Sequence, residues 1–333
     1  MFIVQDYTLA VVFCVITMIC WGSWANTQKL SASTWRFELF YWDYVLGIVA
    51  FSLFLALTLG SVGNQGRSFA EDLAQGDGEA LTSAFMGGVI FNAANILLVA
   101  AISIAGMSVA FPVGIGLALI IGVIVNYIRV PVGNVFLLFG GVAFILVAMI
   151  LNSGAYRKMM SSSKSVSTKG LLLSVISGTM MGLFYKYVAA SMFEDFTRPE
   201  EGKLSPYTAV FIFSIGILVS NFVFNSLLMR FPFTDKPVSY TDYFRGSLRN
   251  HMTGILGGSI WCLGMSFNII ASGKAGPAIS YGLGQGATVV AALWGIYVWK
   301  EFKQAPKGTD VILKIMLACF AVGLSLIILS RNL

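Results

Sequence analysis

Ten apolar segments, each close to 20 residues long, constrain this chain more than any other feature. A helix needs about 20 apolar residues to cross a bilayer core. Lipid offers backbone groups no water, so only helices and closed barrels span it. The segments run roughly over 9–30, 40–60, 83–103, 108–127, 133–152, 170–192, 206–229, 252–272, 277–299 and 311–329. Of the 333 residues, 57% are hydrophobic and 11% are charged, with a mean hydropathy of +0.82. A soluble domain carries about 25% charged residues and cannot bury so much apolar side chain. The expected fold class is an all-α integral membrane protein of ten transmembrane helices.

The first segment does not read as a cleavable signal, because residues 1–7 carry no Lys or Arg and the apolar run ends in WGSWANTQKL. Cys14, Cys20, Cys262 and Cys319 fall inside spans at irregular spacing, which implies neither a disulfide framework nor a metal site. The formal charge of +6 lies in short loops and does not indicate nucleic-acid binding. Loops after odd-numbered spans hold 13 Lys and Arg against 6 on the other side, with Lys186 and Lys314 inside spans. Positive loops stay in the cytoplasm, so the odd loops are expected inside and both termini outside. The acidic 61–82 loop, with Glu71, Asp72, Asp77 and Glu79, is then extracellular. A bacterial inner (plasma) membrane suits such a chain.

Polar residues at membrane depth need a partner, either another helix or a solute. Trp21 and Trp24, at i,i+3, share a helix face. They form an interfacial belt or a stacking wall for a flat polar ring. Asn26 supplies hydrogen bonds there or caps the helix. Asn92 and Asn95 also share a face, as interhelical glue or as cavity lining. Lys186 either snorkels to the outer interface or donates to a solute. Trp261 and Asn268 share one face of the eighth span, and Tyr281 and Gln285 share one face of the ninth. Two other clusters read as structural: the junction 35–44 as an anchor in which Arg36 pairs with Glu38 or Asp43, and the pair Asn221 and Asn225 as helix packing. His251, the only histidine, reads as a surface residue.

Residues 87–124 slide without gaps onto 257–294 and match at eight positions, among them Gly88/Gly258, Gly106/Gly276, Gly114/Gly284 and Gly116/Gly286. Phe91 falls on Trp261 and Phe111 on Tyr281. The first and sixth spans align more weakly, through Gly22/Gly182. Two similar halves of five spans each must have opposite topology, the inverted-repeat plan of secondary transporters. The expected organisation is a first five-helix repeat (1–155), a cytoplasmic linker (156–169) and a second repeat (170–333).

With this plan in view, the chain resembles the drug/metabolite transporter superfamily. GQGATVVAALWGIYVWKEFK (284–303) resembles the glucose/ribose porter and L-rhamnose–proton symporter families. CWGSWANTQKL and SVAFPVGIGLALIIGVIVNY are similar to stretches of plant ureide permeases and their bacterial relatives. The resemblance implies a ten-helix carrier of small polar solutes driven by a proton or sodium gradient. Small multidrug pumps of the superfamily place a glutamate in the first span, and residues 17–26 have none.

No HExxH, CxxC or GxSxG motif occurs, and no P-loop lysine follows the glycines at 282–286. The sequence therefore points away from an enzyme and from any cofactor. It points to alternating-access transport of a sugar or similar uncharged polar metabolite, with lipid and a coupling H+ or Na+ as the other partners. The alternatives are a drug or metabolite exporter of the same fold and a non-transporting membrane scaffold or receptor. The candidate substrate-binding residues are Trp21, Trp24, Asn26, Asn92, Asn95, Lys186, Trp261, Asn268, Tyr281 and Gln285.

Overall fold

A computed structural model describes residues 1–63, 65–159, 167–233 and 236–331. Within them lie ten helices long and apolar enough to cross a membrane. They are α1 (Tyr7–Ser23, continued as a 3-10 helix over Trp24–Leu30), α2 (Phe37–Leu57), α3 (Gly78–Ala105), α4 (Met107–Arg129) and α5 (Val135–Met159). Then come α6 (Thr168–Ser191), α7 (Pro206–Arg230), α8 (Leu248–Ala275), α9 (Pro277–Val298) and α10 (Thr309–Leu329). The central part of the expected 156–169 linker, residues 160–166, lies outside the described residues.

Side-chain caps start several helices, with Asp6, Asp77, Ser205 and Ser247 accepting from backbone amides of the first turn. The α3–α4 and α8–α9 junctions are single glycines, Gly106 at φ 80° and Gly276 at φ 85°. A left-handed φ at both is open to glycine and strained for other residues.

The helix contacts exchange when each helix is replaced by the one five later. α1 packs on α8 as α6 packs on α3, and α2 packs on α8 as α7 packs on α3. The pairs α2/α7, α4/α9 and α5/α10 map onto themselves. Close approaches at glycines follow the same exchange. A Cβ on Gly88 of α3 would sit 2.0 Å from the Phe213 carbonyl oxygen of α7, and one on Gly258 of α8 would sit 1.9 Å from that of Tyr44 in α2. In return, Gly216 of α7 lies against the Phe85 carbonyl and Gly47 of α2 against that of Ile255. Small residues let helices meet where lipid gives no hydrophobic drive to association.

Three polar clusters outside the centre refine the expectations. Arg36 pairs with Glu38, its Nε 3.1 Å from Oε2. Asp72, one of the four acidic residues of the 61–82 loop, is fully buried. It accepts from Arg67 at 3.0 Å and from the Ser205 amide at 2.7 Å, which ties the loop to α7. His251 is not a free surface residue. Its Nδ1 lies 3.0 Å from both oxygens of buried Asp43, which also accepts from Tyr243 at 2.7 Å. Burial and then the Asp43 carboxylate push the Tyr243 phenol above its ordinary pKa, so it stays a donor.

Overpacking costs about 1–3 kcal/mol, and a carbonyl 1.9 Å from the new atom cannot step aside as a side chain can. Gly258→Val is expected to lower the melting temperature of the detergent-solubilised protein by several degrees or to abolish the folded monomer. Gly154→Ala, with open space around its added Cβ, should melt as wild type.

Candidate functional site

A cavity of about 560 Å³ lies among α1, α3, α4, α5, α6, α8 and α9. A helix break builds its polar wall. α9 runs as Pro277–Gly284, turns through Gln285 and Gly286, and resumes as Ala287–Leu293. The amides of Gly286, Thr288 and Val289 each reach back only three residues across this turn. Gln285, at the break, lines the cavity and is 9% exposed. Its side-chain amide has no hydrogen-bond partner among the described residues. Gly284 makes room for this corner, because a Cβ there would sit 2.8 Å from both Trp21 Cζ3 and Asn268 Nδ2.

The apolar walls are aromatic. Trp21 lies nearly parallel to Trp261, with centroids 6.0 Å apart at 14°, and its Nε1 donates to the Trp261 carbonyl at 3.2 Å. Trp261 also meets Phe91 at 4.5 Å. These two residues correspond in the sequence repeat, and they touch at the centre of the molecule. Asn95 of α3 enters the same space, its Nδ2 donating away from the cavity to Tyr41. From α5 come Asn152 and, one turn on, Tyr156.

At one end the cavity reaches the face where α1, α5 and α9 finish. The last turn of α9 is a π-helix (Trp294–Val298), followed by Lys300 at φ 53°. A non-glycine residue in that region is strained, and the turn brings Glu301 back to the cavity mouth. Glu301 accepts from Tyr156 at 2.7 Å and pairs with Lys29 at 3.3 Å. Lys29 also lies 4.4 Å over the Trp299 ring, whose Nε1 donates to Asn26 Oδ1 at 2.6 Å.

The opposite end is sealed. Tyr281 is fully buried, its OH donating to the carbonyls of Ala118 and Met181, each at 3.2 Å. Its ring fills the place where a Gly122 Cβ would be, 2.1 Å from Cε1. Beside it, Ser280 and Asn268 bond each other, Nδ2 to the Ser280 carbonyl at 2.8 Å and Oγ to the Asn268 carbonyl at 2.6 Å. On the far side, a second cavity of about 330 Å³ is lined by Arg129, Glu194, Asp195, Lys274 and Arg331. Thr197 holds the exposed Asp195 carboxyl below its ordinary pKa by two hydrogen bonds.

Of the ten residues singled out in the sequence, six line the central cavity: Trp21, Trp24, Asn26, Asn95, Trp261 and Gln285. Four do not. Asn92 is spent between helices, accepting from Tyr41 at 2.9 Å and donating to Ser220 at 2.9 Å. Asn268 and Tyr281 belong to the seal. Lys186 is exposed and lines neither cavity. Asn152, Tyr156 and Glu301 were not singled out. The i,i+4 spacing of Asn152 and Tyr156 was a usable signal, whereas nothing in the sequence shows the backbone turn that carries Glu301 inward.

A bundle with a solute-sized central cavity, a polar mouth at one face and an aromatic seal toward the other has the build of a membrane permease. The comparisons agree and make the class specific. The ureide permease family model matches residues 40–166 and 156–330, and the chain belongs to that family. Ureide permease 1 of Arabidopsis thaliana is 21% identical over 388 residues, covering 100% of this chain and 99% of its own. Ureide permease 2 of the same plant is 20% identical with the same coverage. A solved crystal structure superposes with a TM-score of 0.61 at 16% identity, covering 98% of this chain and 100% of the other, a likeness of fold alone. The relatives are permeases and not enzymes. The similarity to ureide permeases is thus the part of the sequence resemblance that the comparisons identify.

The seal makes a direct prediction. In a cysteine-free background, a cysteine at Gln285 should react with a membrane-impermeant thiol reagent only from the face that carries Lys29. Adding Tyr281→Ala should open it to reagent from both faces, and equal one-sided labelling in both proteins would show that Tyr281 does not close the path.

Proposed function

We propose that this protein is a secondary carrier that moves a small, uncharged, nitrogen-rich solute of the ureide kind by alternating access. One observation carries the reading: the Gln285 amide, buried at the break in α9 and without a protein partner, faces the cavity beside Trp21 and Trp261. Leaving an amide unpaired costs about 1–3 kcal/mol by protein mutational data, so this one is paired with water or solute. A carboxamide presents a donor and an acceptor side by side, which complements the N–H and C=O edge of a urea or cyclic amide. The indole faces suit a flat ring, and about 560 Å³ lies within the usual range for small-ligand sites. The relatives' name, ureide permease, supports the same chemical class. A sugar is the second reading, favoured by the aromatic faces of Trp21 and Trp24.

The helix exchange supports two inverted five-helix repeats, 1–155 and 170–333. If the Lys and Arg bias sets orientation, the mouth at Lys29 and Glu301 faces the cytoplasm and the chain stands inward-open. The repeat then supplies the other state. Tyr281 and Gly122, packed together in the seal, correspond to Phe111 and Ala292, which are both open to the cavity. Closing the mouth brings Phe111 onto Ala292 as Tyr281 separates from Gly122. The coupling ion, a proton or sodium, acts through Glu301, the one carboxylate lining the cavity among the described residues.

Uptake of labelled hydantoin by cells expressing the protein should exceed that of labelled glucose and of cationic dyes. Gln285→Ala and Asn95→Ala should each abolish it at unchanged expression; normal uptake in both would remove the site assignment, and preferential glucose uptake would favour the second reading. Glu301→Gln should leave hydantoin exchange intact and abolish accumulation against a gradient. Undiminished accumulation would exclude Glu301 as the coupling group.

A further inference from the structure

Asn95 presents a particular atom to the cavity, and residues behind the wall determine which. The chain of bonds starts on α7, where the Ser220 hydroxyl donates to the Gly216 carbonyl at 2.7 Å. Its hydrogen is spent there, so its oxygen accepts, and Asn92 Nδ2 donates to it at 2.9 Å and approaches the Ile217 carbonyl at 3.3 Å. A carbonyl cannot donate, so the Asn92 amide has one permitted orientation. Its Oδ1 therefore faces α2 and takes the Tyr41 hydroxyl hydrogen at 2.9 Å. With that hydrogen used, Tyr41 can only accept from Asn95, whose Nδ2 lies 3.1 Å away. Reversing Asn95 would set oxygen against oxygen. Asn95 is left with Oδ1 toward the cavity and no protein donor to it among the described residues.

We infer that Tyr41, which lies behind the cavity wall, is a positioning residue that fixes Asn95 as an acceptor and so makes the site demand an N–H from the solute. This rests on the ureide reading and adds to it the atom that selects. Tyr41 and Asn92 are both fully buried, and Tyr41 is held between Phe37 and Tyr44 at 5.1 and 5.3 Å. The phenol therefore has little freedom to swing away. A site built to bond a solute N–H rejects an analogue lacking it, because its own buried group is then left unpaired.

The test measures binding of hydantoin and of its N1-methyl and N3-methyl derivatives to the purified full chain by calorimetry. Wild type should bind one of the two methyl derivatives at least about tenfold more weakly than hydantoin, the loss expected when one buried hydrogen bond goes unmade. Tyr41→Phe and Asn92→Leu, which break the chain at different links, should each narrow that ratio to about threefold or less, with melting curves reporting that they are folded. A steric clash with the methyl group would be unmoved by either change, since neither residue lines the cavity. The inference is overturned if wild type binds all three compounds equally, a result that needs no variant, or if the folded variants keep the wild-type ratio. If wild type binds no ureide at all, the ureide reading itself fails and the inference falls with it.

Discussion

Lipid supplies no hydrogen bonds, so polar side chains within the bundle must be matched by protein or face water or solute. Several of the buried amides here meet that demand between helices. Asn92 joins α2, α3 and α7, Asn268 joins α8 to α9, and Asn225 donates to the Glu38 carbonyl at 2.9 Å. Asn221 is an exception, with both amide atoms buried and unpaired among the described residues, and the Oδ1 atoms of Asn126, Asn152 and Asn225 are buried and unpaired as well. Where Gln285 and the Asn95 oxygen lack a partner, they face the central cavity. In the proposed function, a solute takes over the role of the protein at these two groups.

Glycine sets how closely those helices approach. The contacts of Gly88 with α7 and of Gly258 with α2 bring α3 and α8 inward, so that Phe91 and Trp261 meet at the centre. Gly284 admits Trp21, and Gly122 admits the Tyr281 ring that closes the far end. Close packing and cavity shape are therefore not separate features. The helices are tight where glycines meet carbonyls, and the cavity borders a break, a proline and a π-turn, at Gln285, Pro112 and Trp294–Val298.

The spans were legible in the sequence because the bilayer fixes their length and hydropathy. The glycines at 88, 106, 258 and 276, visible in the sequence, sit at junctions and contact faces. The site was legible only in part. A polar residue in a span is visible in sequence, but its direction depends on its neighbours. Asn92 and Asn95 share a face and both bond the Tyr41 hydroxyl, yet one is spent between helices because Ser220 takes its other end, and the other, whose oxygen meets no protein donor among the described residues, reaches the cavity. Tyr281 reads as a ligand until Gly122 is seen against its ring. Glu301 lies beyond the last apolar span residue and reaches the cavity through a strained backbone turn at Lys300, which hydropathy does not record.

Alternating access means that one cavity opens in turn to the two faces, and distances measured on both faces of the same protein report it. Spin labels at Lys29 and Met159 report the mouth, and labels at Arg129 and Lys274 report the opposite vestibule. In liposomes, with and without hydantoin, two populations are expected in which the first distance shortens as the second lengthens. Distances that change together, or a single population at both faces under every condition, would contradict it.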